Sequence, residues 1–435
     1  MSPAGSPTHQ PAARLPLARL LAIVSLGFAL TVLVNTVEPA VLGHRVLELA
    51  PGQANTATGL ITFAGLIVAT LTQPVVGLLS DRTRSRVGRR LPYFVAGTLI
   101  VFIALYLLAV SPWLGVVAAS LLLAQLGSNT VQGPWQALIP DLVPSHQRGQ
   151  AAGLKAVMDI VGLVIGRQAA GELIARAPEW GVGASLAAVA VPATAFVLAL
   201  ALTAVCLRDR PAASATPALS LRDTLRCPFA VDWRRYPAFG WWFLHRLMFW
   251  GAFILLNTFL LYYLIDVVRM QHAEAQRFLG RIFAVLGAVL AVASIPSGWF
   301  VDRYGRRPLV IVSSIVAGCG GILLLLARDR AALTVAAAVI GAGIGAFMTA
   351  SWALVTDIVP PDQAAHYLGI GNMAAAGGSA VARLLGGLLI DPLNRWSANA
   401  GAGYLVVFGL ATAAFWLSIL PALRLPRPAG HPPPR

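Results

Sequence analysis

Long apolar stretches alternate along this chain with short polar interruptions. Runs of about twenty residues with few or no charges lie near 20–43, 57–80, 92–111, 113–138, 151–173, 185–206, 238–264, 277–301, 308–327, 331–355, 367–390 and 402–423. At a rise of about 1.5 Å per residue, a helix of that length matches the roughly 30 Å hydrocarbon core of a bilayer. Uncharged runs of 18 or more residues read as membrane helices. The pattern therefore predicts an all-α membrane protein with twelve transmembrane helices. The runs 57–80 and 277–301 stop directly at Asp81 and Asp302, so those edges are the sharpest.

The interruptions carry a second pattern. Residues 77–94, GLLSDRTRSRVGRRLPYF, place a knot of arginines between two apolar runs, and a shorter copy, GWFVDRYGRRPLV, recurs at 298–310. Charge is costly at a bilayer centre, so each cluster marks a short turn in water. The copies keep register: Asp81 and Asp302 lie 221 positions apart, Gly88 and Gly305 217. The step of four equals the longer spacer inside the first copy. Afterwards ALIPDLVP (137–144) matches ALVTDIVP (353–360) at 216, and Arg167 matches Arg383 at the same 216. The chain reads as a parallel repeat of two six-helix bundles, 20–206 and 238–423, with a linker at 207–237 and tails at 1–19 and 424–435. Within the linker, SLRDTLRCPFAVDW is either an amphipathic interfacial helix or a solvated connector, and the WWF at 241–243 suits an aromatic belt.

Composition confirms the class. Of 435 residues 57% are hydrophobic and 11% charged, against about a quarter charged in soluble domains. The net charge of +15 raises the question of nucleic acid, but the basic residues sit in short loops and form no basic face. Outside the spans, twenty lie in the segments sharing one side with the N-terminus and seven in the alternate loops. That imbalance predicts both termini in the cytoplasm of a cell membrane. The first apolar run is too long for the core of a signal peptide and is expected to remain as the first span. Cys206, Cys227 and Cys319 are dispersed and give no disulfide or metal framework. No nucleophile constellation, metal-ligand spacing or nucleotide loop points to an enzyme or to a cofactor.

Ionisable groups inside spans are costly and therefore functional candidates. Glu38 and Arg167 fall at a common depth, roughly 27 and 24 Å from the loop-motif ends of their helices at 1.5 Å per residue, and are expected to pair across a solvated cavity. Arg383 is the repeat equivalent of Arg167. Two such arginines facing a cavity can bind polyol hydroxyls or clamp a carboxylate. Lys155 and Asp159, four apart, are expected to neutralise each other, with Asp159 a second candidate for protonation. Asn35, Gln125, Asn129, Asn257 and Asn372 either line the site or hydrogen-bond between helices. His245 and Arg246 are expected at the membrane interface.

These motifs resemble the major facilitator superfamily across nearly the whole chain. Its loop signature, G-x-x-x-D-R-x-G-R-R, is matched by Gly298, Asp302, Arg303, Gly305, Arg306 and Arg307, and in longer form by Gly77, Asp81, Arg82, Gly88, Arg89 and Arg90. The longer form is similar to that of the glycoside-pentoside-hexuronide cation symporters and the plant sucrose/proton symporters. The resemblance implies two bundles rocking about a central site, with the loop motif gating one side: Asp81, Arg82 and Arg86 would bridge to a neighbouring helix, with Asp141 and Arg148. Those symporters carry coupling carboxylates in the second and fourth spans, where this chain has none, which speaks against sodium: proton coupling would have to use Glu38 or Asp159, and the alternative is a facilitator that couples to no ion. The expected activity is symport of a small polar solute such as a sugar by a monomer in the bilayer. An efflux antiporter for amphipathic compounds is the alternative, although GLVIGRQAAGELI in span 5 lacks the Gly-Pro such proteins often carry. A non-transporting receptor or scaffold is the alternative of another class.

Overall fold

The computed structural model describes residues 14–83, 85, 88–144, 147–206, 233–359, 364–397 and 401–425. The expected linker helix, Arg86 and the side chains of Asp81, Arg82, Arg148 and Asp302 lie outside the described set. Among the described residues are twelve long helices: α1 Leu17–Leu49, α2 Ala54–Arg82, α3 Leu91–Val110, α4 Leu114–Gln136, α5 Arg148–Arg176 and α6 Ala184–Cys206, then α7 Pro237–Asp266, α8 His272–Tyr304, α9 Arg306–Leu326, α10 Arg330–Ile358, α11 Ala364–Trp396 and α12 Ala402–Leu423. Eleven are long and apolar enough to cross a membrane. The other, α5, carries Lys155, Asp159, Arg167 and Glu172 within its length.

The duplication seen in the sequence is repeated in the packing. Helix α1 packs on α5 and α6 as α7 packs on α11 and α12, and α4 on α2 and α3 as α10 on α8 and α9. The halves meet along α5–α8 and its counterpart α11–α2. Both loop-motif glycines adopt positive φ, 99° at Gly88 and 86° at Gly305, a conformation that penalises any side chain. From these turns Arg89 and Arg90 reach the Asp141 carboxylate, while Arg306 reaches the Ala353 carbonyl and Arg307 that of Leu423 at 2.6 Å. Arg303 lies over the Trp299 ring at 5.4 Å. Each described arginine contact of the motif thus stays within its own half, and Asp141 is taken by Arg89 and Arg90.

Several helices outrun the apolar pattern. Helix α1 continues from the expected 43 to Leu49 because His44, Arg45 and Glu48 neutralise one another along it, Arg45 also reaching the Ser111 carbonyl. Helix α11 continues past 390 to Trp396 because Asp391 finds partners in the opposite half. The interface placement of His245, Arg246 and, within the WWF stretch, Trp242 is corrected. His245 is fully buried beside Ser314 Oγ (3.1 Å), and Arg246 stacks 4.4 Å over Trp352 and donates to the Gly371 carbonyl at 3.2 Å. Trp242 is buried and donates from Nε1 to the Ser351 carbonyl at 2.9 Å. These groups join α7 to α9, α10 and α11, which removes them from lipid.

Candidate solute and coupling site

The site forms where α1 loses its regular ladder. Pro39 has no N–H to offer, and the chain widens to a π turn over Val37–Leu42. Glu38 sits at the start of that turn, and its two oxygens point to different halves. Gln125 Nε2 of α4 donates to Oε1 at 2.9 Å, and Arg383 Nη2 of α11 donates to Oε2 at 2.5 Å. Asn129 Nδ2 stands behind Gln125, 2.8 Å from its carbonyl and 3.4 Å from its Oε1, extending a polar row from α4 through α1 into the second half. Arg383 also donates from Nη1 to the Thr62 carbonyl of α2 at 3.2 Å.

The expected Glu38–Arg167 ion pair is replaced by Glu38–Arg383. Arg167, buried in α5, instead donates from Nη2 to Asn257 Oδ1 of α7 at 2.6 Å and lies over the Phe283 ring of α8 at 3.6 Å. Both arginines cross the interface, Arg383 reaching from α11 to α1 and Arg167 from α5 to α7. One acceptor is a carboxylate and the other an amide. This places the single negative charge on one side of a duplicated frame.

Arg167 has donors to spare. Its Nε and Nη1 are buried without a protein partner among the described residues, as is Arg383 Nε. Leaving buried guanidinium N–H groups unmatched costs several kcal/mol in total unless water or a ligand meets them. They are donors left without an acceptor where the two halves meet.

The remaining polar positions divide. Lys155 pairs with Asp159 at 2.6 Å as the spacing predicts, and Thr31 Oγ1 donates to Asp159 at 3.2 Å. Asn35 donates to its own helix at the Thr31 carbonyl, and Asn372 is exposed on α11, so neither joins the central group. The sequence reading missed a second cluster, at the end opposite the loop motif, built from Asn55, Thr56, Asp266, Asp391 and Tyr404. Its signal was the position of Asp266 and Asp391 at the ends of apolar runs.

A family model described as "MFS/sugar transport protein" matches residues 48–420. The chain belongs to that family. Over 137 residues it is 28% identical to the sucrose transport protein SUT1 of Oryza sativa subsp. japonica, covering 26% of each chain. It is 30% identical over 125 residues to the general alpha-glucoside permease of Schizosaccharomyces pombe, covering 25% of this chain and 23% of that one. It is also 27% identical over 162 residues to the multidrug resistance protein MdtG of Escherichia fergusonii, covering 37% of this chain and 39% of the other. The matched stretch thus spans about a quarter to two fifths of these curated relatives. Among solved structures, a mutant of the nucleoside transporter NupG aligns over 94% of this chain and 99% of its own, with TM-score 0.72 and 14% identity. A bacterial homolog of the human lysosomal transporter Spinster aligns over 95% and 98%, with TM-score 0.71 and 17% identity. Membership in this family fixes the major facilitator fold and a class of transporters, and the two arginines that cross the interface are features of this chain's own geometry.

Proposed function

We propose that the protein is a secondary transporter that carries a small polar solute of the sugar class together with a proton, by alternating access of its two halves. The observation that carries the reading is the Glu38–Arg383 pair, a titratable carboxylate whose cation belongs to the opposite half. Protonating Glu38 removes the charge that holds Arg383, so proton binding and the contact between halves are linked. The loop-motif end is cytoplasmic, as the basic residues require, and the loop motifs brace that end. The protein acts as a monomer in a cell membrane, with solute, proton and lipid as its partners.

The solute would lie against Arg167. A guanidinium offers Nε and Nη as a fixed pair of donors, which fits two vicinal hydroxyls or one carboxylate. Phe283 holds the plane of Arg167 in place from the other side. Arg167→Lys keeps the charge and loses the paired donors. It is expected to raise KM about tenfold or more, from about 1.5 kcal/mol per lost charged hydrogen bond, with the direction of pH-driven movement unchanged. Initial uptake rates against solute concentration check this.

The overall reading is tested in proteoliposomes with a panel of labelled sugars and glycosides. An acidic exterior is expected to drive accumulation that a protonophore abolishes; identical uptake with and without the gradient would remove proton coupling. The stretch shared with MdtG supports a second reading, efflux of amphipathic compounds. An antiporter would accumulate its compound when the interior is acidic, so the sign of the effective gradient separates the two.

A further inference from the structure

At the end opposite the loop motif, one buried hydrogen-bond cluster ties the halves together. Asp391 of α11 accepts at Oδ2 from the Thr56 backbone N–H (2.8 Å) and at Oδ1 from Asn55 Nδ2 (2.8 Å), and the single Thr56 hydroxyl hydrogen is shared between Asp391 Oδ2 (2.9 Å) and the Gly387 carbonyl (2.8 Å). Asn55 and Thr56 form the first turn of α2, which begins at Ala54 and whose preceding residue, Gln53, makes no capping bond. The first N–H groups of a helix have no acceptor within it and carry its positive dipole end. A carboxylate of one half therefore occupies the capping place of a helix in the other.

Behind this contact Asn55 Nδ2 also donates to the Tyr404 hydroxyl at 2.9 Å, and that hydroxyl donates to Asp266 Oδ2 at 2.5 Å. Asn55 is 2% exposed and Asp391 8%. Among the described residues, the symmetry-related interface has no carboxylate seated on a helix start; its buried bond is from Gln276 Nε2 to the Ala40 carbonyl at 3.3 Å. There Glu172 of α5 meets Arg277 of α8 at 3.4 Å with both side chains more than a third exposed, a geometry that water screens to little. The His44–His272 contact between α1 and α8, at 2.6 Å, has Arg45 and Glu48 beside it and stays at the rim. The buried carboxylate is thus specific to α11–α2.

We propose that Asp391 is the latch of this gate: its cap on α2 holds the end opposite the loop motif shut, and release of the cap opens it. The inference rests on the alternating-access reading above. A latch of this kind is reversible by construction. Closed, the carboxylate gives up water for three donors and a helix dipole; open, water returns to both sides, so neither state is far below the other.

The test uses full-length protein in nanodiscs, with Cys206, Cys227 and Cys319 replaced and spin labels at Gly52→Cys and Arg328→Cys, both exposed at that end in opposite halves. Pulsed electron–electron distance measurement reports the closed and open populations. Asp391→Ala is expected to raise the open-to-closed ratio about tenfold or more, on the scale of one lost charge-assisted contact. Asp391→Asn, which keeps shape and one acceptor and guards against a folding failure of the alanine variant, is expected to give a smaller shift in the same direction. Gly59→Val, a steric wedge in the same interface, is the reference for opening. If the wedge lengthens the distance and both Asp391 variants match the parent, the latch is overturned while alternating access stands. If the wedge and the Asp391 variants all leave the distance unchanged, the alternating-access reading is overturned and the latch with it.

Discussion

Replacing Glu38 with glutamine is expected to abolish gradient-driven accumulation of solute and to leave solute exchange running. The glutamine would mimic the protonated acid in shape, set no charge against Arg383, and never release a proton. In the proposed cycle the carboxylate alternates between a charged form that binds Arg383 across the interface and a neutral form that lets it go. With only the neutral form available, the halves can still exchange one solute for another. They cannot extract work from a pH difference. Counterflow of labelled against unlabelled solute should stay within a few-fold of the parent, and accumulation against a gradient should fall to equilibration. Retained accumulation would move the coupling role to Asp159, already held by Lys155 and Thr31.

The same substitution carries a stability signature. Removing one member of a buried pair leaves the other uncompensated, at about 3 kcal/mol. Glu38→Gln should therefore lower the melting temperature, and adding Arg383→Gln should recover much of the loss, because the double variant buries no lone charge. Non-additivity in that cycle would report a direct contact between the two halves. Arg167→Gln combined with Glu38→Gln should recover far less, since Arg167 donates to Asn257.

Much of this arrangement was legible from residues. Apolar run lengths give the helices, the DR/GRR turns give the duplication, and the fixed offset of 216 pairs Arg167 with Arg383. Helical rise then set the depth of Glu38 and Arg167 together. The choice of partner was not legible. Depth follows from counting residues, but the direction a side chain faces around its helix follows from the apolar pattern only when one face is polar. Here lipid-facing and protein-facing surfaces are both apolar, so two arginines at one depth were indistinguishable, and Arg383 is the one turned toward α1. The Asp391 cluster was hidden for a related reason. Asn55 and Asp391 lie 336 positions apart, and a charge at the end of an apolar run reads as the start of a loop until its distant partners are seen. His245 and Arg246 were misplaced the same way, since aromatic rings and hydroxyls of three other helices shelter them.

The hydrogen-bonded contacts at α2–α11 depend on two backbones coming nearly into touch. A Cβ on Gly59 would stand 2.5 Å from the Arg383 carbonyl oxygen and 2.6 Å from Gly387 Cα, and one on Gly387 2.9 Å from Gly59 Cα. The obstructing atoms are backbone, with no flexible side chain to swing aside, so even a methyl must push the helices apart. Gly59→Val is accordingly expected to disfavour the state closed at that end by about 3 kcal/mol, the upper part of the usual overpacking range. That is a shift of roughly a hundredfold in the ratio of conformers. Transport should fall by a similar factor because the cycle needs both closed states, while the helix content stays that of the parent. A cysteine at Thr62, one turn from Gly59 and beneath the Arg383 guanidinium, should become reactive to an impermeant maleimide added from that side. Gly52→Ala, where an added Cβ meets nothing within 4 Å, serves as the neutral comparison. Should Gly59→Val transport at the parent's rate, the close approach at α2–α11 would not be a state the protein must pass through. The Glu38–Arg383 pair would then be a structural clasp, because Arg383 reaches Glu38 only when its own backbone lies against Gly59.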